Sequence, residues 1–231
     1  MDTFKFYSKI LDKMISDSNY WRYYFVSPGD TNSDIEVAPG VMLYAGATRA
    51  CLVADECDEV IKWDIDDSHS CATEEETYFA AENEGYSDYL VPCRFLGNYT
   101  RTVYIDDHYD VGEQVNWSTD PDDWDNIEED PTQKYTISVP LYAYEKIDKD
   151  TFYADYDSVS AEEKEYCRNS GSPLQERNIC VAVEFLRLMG TEKFCEFSSF
   201  CHDYKINDLH CSNVGYLHGR FVIIDYAGYW N

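Results

Sequence analysis

The sequence predicts an α+β fold, on three observations. Apolar residues recur with helical spacing near the amino terminus and again after residue 177, residues 35–65 carry short β-rich runs between turn residues, and the two kinds of segment follow one another without an internal repeat. With 231 residues, an apolar fraction of 44% and an aromatic fraction of 16%, the chain has the length and side-chain volume to bury a core.

Phe4, Tyr7, Ile10, Leu11, Met14 and Ile15 follow Asp2 and Thr3, either of which can cap, so residues 3–16 are expected to form an amphipathic helix. Val41–Tyr44, Ala50–Val53 and Val60–Trp63 read as three antiparallel strands, separated by Gly46 and by an acidic turn at Asp55–Glu59. Thr73-Glu-Glu-Glu76 has the form of a capping box and opens a helix expected to run to Gly85, which stops it. Two further strands are expected at Thr102–Ile105 and Tyr135–Tyr144. Between them, Asp120, Asp122, Asp123, Asp125, Glu128, Glu129 and Asp130 crowd around Trp124, so residues 106–134 read as a surface insertion. Ile179, Val183, Leu186 and Met189 share a face of a helix over 177–189 that ends at Gly190. Thr191 can cap a second helix, with Phe194, Phe197, Cys201 and Tyr204 inward, that delivers the chain to Asp208.

The formal charge of -27 is extreme, yet an apolar fraction of 44% is too high for a disordered acidic tail. Such a field repels nucleic acid and anionic membrane surfaces, and it favours a basic protein partner or simply confers solubility. The nine cysteines contain no Cys-x-x-Cys pair and read as reduced thiols. An amino terminus without an apolar signal region, and no run near the ~18 apolar residues of a membrane span, point to a cytoplasmic protein. Cys195, Cys201, His202, His210, Cys211 and His218 match no structural zinc spacing.

The most specific chemistry lies near the end. Asp208, four intervening residues and Asn213 are followed by a turn, an apolar strand and Asp225. Two carboxylates and an amide at that spacing suit phosphoryl transfer, in which one carboxylate orients the attacking hydroxyl while the amide and the other carboxylate hold magnesium on the phosphates. Residues 205–228, with Asp208-Leu209-His210-Cys211-Ser212-Asn213 and Asp225-Tyr226-Ala227-Gly228, resemble the protein-kinase-like superfamily, in wording closer to its small-molecule and atypical members and to short phage and bacterial kinase-like proteins.

That resemblance implies a compact kinase-like α+β fold, with a β-rich amino-terminal lobe over 1–145 and a reduced helical lobe over 146–231 ending in the catalytic loop and metal-binding hairpin. It implies ATP and Mg2+ as cofactors, Asp208 as base, and Asn213 and Asp225 as metal ligands. Lys62 would be the strand lysine on the phosphates, paired with Glu76, with Glu75 or Glu82 as alternatives because Glu76 competes for the capping box. Gly46 and Thr48 would belong to a partial phosphate loop, and the backbone of Leu141–Glu145, Tyr144 included, would receive the base. Two departures matter. Ile206-Asn207 replaces the His-Arg of protein kinases, which argues against activation by loop phosphorylation, and the sequence stops six residues after Asp225, without an activation segment or peptide-binding platform. An active phosphotransferase for an unidentified acceptor and a pseudokinase therefore both stay open. The alternative is an acidic, phage-type inhibitor on a degenerate kinase-like scaffold that occupies a basic groove of a host nucleic-acid enzyme as a DNA mimic.

Overall fold

The first sixteen residues wind into α1 (Thr3–Ser16) because Tyr7, Leu11, Met14 and Ile15 fall on one face and are buried there. Asp2 is the cap: its side chain accepts from the Lys5 amide at 3.0 Å. The Thr3 hydroxyl bonds the Glu59 carboxylate instead. The computed structural model describes residues 1–16, 34–46, 48–65, 68–104, 134–148, 152–175 and 178–227, so the acidic insertion expected at 106–134 lies outside the described residues. Among these are four α-helices, a six-stranded antiparallel sheet and a two-stranded hairpin, an α+β composition. No helix of the described residues is long and apolar enough to cross a membrane.

Two compact units form: Met1–His69 with Phe95–Ala143, and Ser70–Arg94 with Tyr144–Asn231. The division expected at 145/146 made no provision for the excursion of residues 70–94 into the second unit.

The first unit holds α1 and the sheet except for two strand ends: β1 (Ile35–Ala38), β2 (Val41–Ala45), β3 (Arg49–Ala54), β4 (Glu59–Asp64), β5 (Cys93–Tyr104) and β6 (Lys134–Glu145) run in the order β1-β2-β3-β4-β6-β5, and Cys93, Arg94, Tyr144 and Glu145 at the ends of β5 and β6 belong to the second unit. Where three strands were expected before residue 65, the described residues form four. Pro39-Gly40 closes a tight turn in which Gly40 takes φ 70°, a region open to glycine, and this lets Ile35–Ala38 pair with β2. β5 also begins nine residues before the expected Thr102. Register aligns Leu43 with Leu52 and Leu52 with Ile61, one fully buried row against α1. Each such side chain contributes roughly 1.5–3 kcal/mol on leaving water. Tyr7 locks the helix to this row, its hydroxyl donating to the Glu59 carbonyl at 2.7 Å and accepting from the Ala54 amide at 3.2 Å.

In the second unit, α2 (Ser70–Glu84) begins three residues before Thr73, so the expected capping box of Thr73 and Glu76 does not exist and both residues are inside the helix. Its end is as expected. Gly85 takes φ 83° and the Tyr86 amide returns to the Ala81 carbonyl at 2.8 Å, a Schellman closure. A genuine capping box, Ser160 with Glu163, opens α3 (Ala161–Asn169), a helix that the periodicity did not reveal. α4 (Ile179–Asp203) is capped by Asn178 and broken at Gly190, whose φ 75° and ψ 172° separate the two expected helical halves. Phe185, Phe197 and Phe200 of α4 stack with Tyr86, Tyr89 and Phe221 to make the core beneath the carboxy-terminal hairpin.

Candidate functional site

The loop after α4 is shaped from below. Lys205 takes φ 56°, the Ile206 amide closes onto the Cys201 carbonyl at 2.7 Å, and Ile206 and Leu209 are buried, which leaves Asp208 between two anchors. The Asp208 side chain is 14% exposed. Asn213 ends a short 3-10 turn (Cys211–Asn213), and its Nδ2 donates to the Asp208 carbonyl at 2.7 Å and more weakly to Asp208 Oδ2 at 3.4 Å. With Nδ2 so engaged, Oδ1 is the amide's remaining acceptor. His210 caps that turn, receiving the Ser212 amide on Nδ1 at 3.3 Å while Nε2 stands 3.8 Å from Asp208 Oδ2.

β7 (Val214–Leu217) and β8 (Arg220–Ile223) then form a hairpin through His218 and Gly219, which both take positive φ as a two-residue turn of this hand requires. Gly215 packs closely there: a Cβ would stand 3.0 Å from Ile224 Cδ1 and 3.3 Å from Ile147 Cδ1, so both isoleucine ends would have to give by a few tenths of an ångström. The hairpin returns the chain to the loop: the Ile224 amide donates to the Asn213 carbonyl at 2.8 Å. Asp208, Asn213 and the residue before Asp225 are thereby joined in one hydrogen-bonded network.

On its other side Asp225 is held through Tyr226. The Tyr226 amide donates to Glu74 Oε1 at 2.8 Å, and its buried phenol donates to the Val91 carbonyl at 2.7 Å. Glu74 is fully buried, and its Oε2 accepts from the Tyr144 hydroxyl at 2.5 Å. Burial, and next the Glu74 charge, push the Tyr144 phenol well above its ordinary range, so it stays a donor.

The other expected site residues have different fates. Glu76 is exposed; two residues after Glu74 on a helix, it faces elsewhere, lining a cavity of about 200 Å³ with Thr73, Thr77, Asp203, Tyr204, Lys205 and Ala227. Lys62 is half-buried on β4 in the first unit, opposite Cys51 and on the sheet face that Ile61 and Trp63 do not use. The Gly46 amide is spent within its own turn on the Arg49 carbonyl at 2.8 Å, and the Thr48 carbonyl accepts from Ile65 at 2.9 Å. Ala47 and Gly228 lie outside the described residues. Tyr144 is 1% exposed, with its hydroxyl on Glu74. Beyond it, residues 145–148 are clipped to the hairpin, with the Asp148 amide on the Tyr216 carbonyl at 2.7 Å and His218 Nε2 2.6 Å from Glu145 Oε1.

Glu74 is the residue that the sequence reading missed. It lies inside the Thr73–Glu76 run, and its spacing from Cys71, Thr77 and Ala81 puts it on the buried face once the helix starts at Ser70.

No described cluster of three or more His, Cys, Asp and Glu side chains could hold a metal ion by itself. Every cysteine is a free thiol; burial raises Cys167 to about 11 and Cys201 well above its ordinary value, as for thiols serving as core.

The molecule is thus an α+β protein in which a β-hairpin returns the backbone beside Asp225 to the Asn213 and Asp208 loop. Comparison with protein-family models, with curated proteins and with solved structures finds no match to this chain.

Proposed function

We propose that the chain is a kinase-like protein that binds ATP with Mg2+ and directs the γ-phosphoryl group to an acceptor hydroxyl. The observation that supports this reading is the network from Asp208 through Asn213 to the Ile224 amide, which draws together the stretches of backbone that carry Asp208, Asn213 and Asp225, the residue types that phosphoryl transfer uses as base and metal ligands. The order of elements, strands, helix, two strands, helices, then loop and hairpin, agrees with a kinase-like fold, with β1 an addition at its start.

The residues suit the ion. Magnesium usually keeps several waters and takes one or two protein ligands plus phosphate oxygens, so Asn213 and Asp225 suffice although the described residues hold no three-acid cage. Bound, the ion would neutralise charge on the transferred phosphoryl group. Asp208 accepts the acceptor's proton or orients its hydroxyl, and the Asn213 bond to its carbonyl holds it there. Glu74, in place of Glu76, takes the role of the helix carboxylate: it is the buried one, and it binds the backbone beside Asp225.

Thermal unfolding with and without ATP and magnesium tests the reading. A ligand that binds only the folded state raises its midpoint by mass action, by about 2.7 kcal/mol of stability at a hundredfold excess over Kd. Wild type should show a magnesium-dependent rise and Asp225→Ala should not. No rise in wild type at saturating ligand sinks the proposal.

One observation favours a second reading, an acidic inhibitor of phage type: the charge of -27 suits a basic groove of a nucleic-acid enzyme better than a nucleotide. On that reading the chain binds a basic protein, affinity collapses as salt is added, and ATP changes nothing.

A further inference from the structure

We propose that Tyr144 is a positioning residue for the metal-binding turn, its hydroxyl fixing the Glu74 carboxylate where that carboxylate also receives the amide beside Asp225. The proposal rests on the nucleotide reading above and adds to it a residue on β6 that would otherwise be counted as core.

Asp225 is bracketed by two backbone bonds. On the amino-terminal side the Ile224 amide is held by the Asn213 carbonyl at 2.8 Å, and on the carboxy-terminal side the Tyr226 amide is held by Glu74 at 2.8 Å. The first bracket uses a backbone acceptor and is rigid. The second uses a glutamate with three rotatable side-chain bonds, and it is only as rigid as the carboxylate is fixed. Tyr144 supplies a fixing bond from the opposite end, 2.5 Å to the other oxygen. Its ring is 1% exposed and cannot swing away, and Glu74 is fully buried, out of reach of bulk water as a replacement donor. Tyr142, two residues earlier, stacks on Phe95 at 5.4 Å, an aromatic contact that a phenylalanine could make as well. Tyr144 differs because its hydroxyl has a buried charged acceptor.

Removing that hydroxyl leaves the Tyr226 amide on Glu74 but loosens the carboxylate, so the second bracket weakens while the first stays. The loss should fall on metal-dependent binding. Isothermal titration of ATP is run in excess Mg2+ and in EDTA on wild type, Tyr144→Phe and Glu74→Gln, and the ratio of the two Kd values is the metal preference. In Tyr144→Phe the preference should fall about tenfold, the scale of one hydrogen bond to a charged group, with the EDTA Kd within about twofold of wild type. Glu74→Gln should lose a similar factor, and the double variant little more, because both changes act on one bond.

An unchanged metal preference in Tyr144→Phe, or an equal rise in both Kd values, overturns the proposal while leaving the nucleotide reading intact. No ATP binding by wild type in either buffer overturns both. Should Tyr144→Phe prove unfolded by near-UV circular dichroism, Glu74→Gln decides alone, and an unchanged preference in it is equally fatal.

Discussion

Charge and burial meet in opposite ways at two glutamates. Glu74 is fully buried between a phenol and a backbone amide, whereas Glu163 is a surface carboxylate gripped by Arg187 at 2.7 Å and by the Ser160 amide at 2.9 Å. The Arg187 hydrogen bond, then those of Ser160, hold the Glu163 carboxyl down at about 2. Because its folded pKa is depressed, Glu163 adds stability that is fully present above its unfolded value and is lost as pH falls towards about 2. Urea midpoints of wild type and Glu163→Gln should therefore differ at pH 7, with wild type the more stable, and converge near pH 2. A gap that persists at the acid end would mean that the Arg187 ion pair is not its source.

Two helix devices carry predictions at the scale of the element. Gly190 divides α4 with a backbone conformation (φ 75°, ψ 172°) that is nearly exclusive to glycine, and an added Cβ would touch nothing within 4 Å. Gly190→Ala should therefore cost about 1–3 kcal/mol from backbone strain alone, read as a lower urea midpoint at unchanged slope. A neutral effect would show that α4 straightens through residue 190 without penalty. Ser160→Ala should remove the reciprocal cap of α3 and cost about 1 kcal/mol by the same measurement. The carboxy-terminal hairpin differs from both, since its value lies in placement: β8 carries the chain back to Asn213 so that Asp225 emerges beside the Asp208 loop.

Across the whole molecule the net charge of -27 dominates. Like charges in the compact state repel more than in the expanded one, so raising ionic strength from about 0.01 M to about 0.15 M should raise the thermal midpoint. A fall would place the net electrostatic balance in specific ion pairs instead. The magnesium-dependent response to ATP belongs to this scale too, and it separates the two proposed functions.

Much of this was open to reading from residue order, because local rules govern it. The spacing of Tyr7, Leu11 and Met14 specified α1, and Gly85 and Gly190 stopped helices as their freedom at positive φ allows, whereas the bonds that tie Asp208, Asn213 and Ile224 together had no signal in the spacing. Errors arose where two local signals competed. Thr73–Glu76 has the composition of a capping box, but the buried face of Cys71, Glu74 and Ala81 sets the start of α2 at Ser70 and turns Glu76 to the surface. What only the tertiary structure decided is which carboxylate on that helix is sequestered and what meets it. Glu74 and Tyr144 are seventy residues apart, and Tyr226 lies 152 residues beyond Glu74. No local propensity encodes a hydrogen bond over that separation, and it exists because packing removes the water that would otherwise have satisfied all three groups.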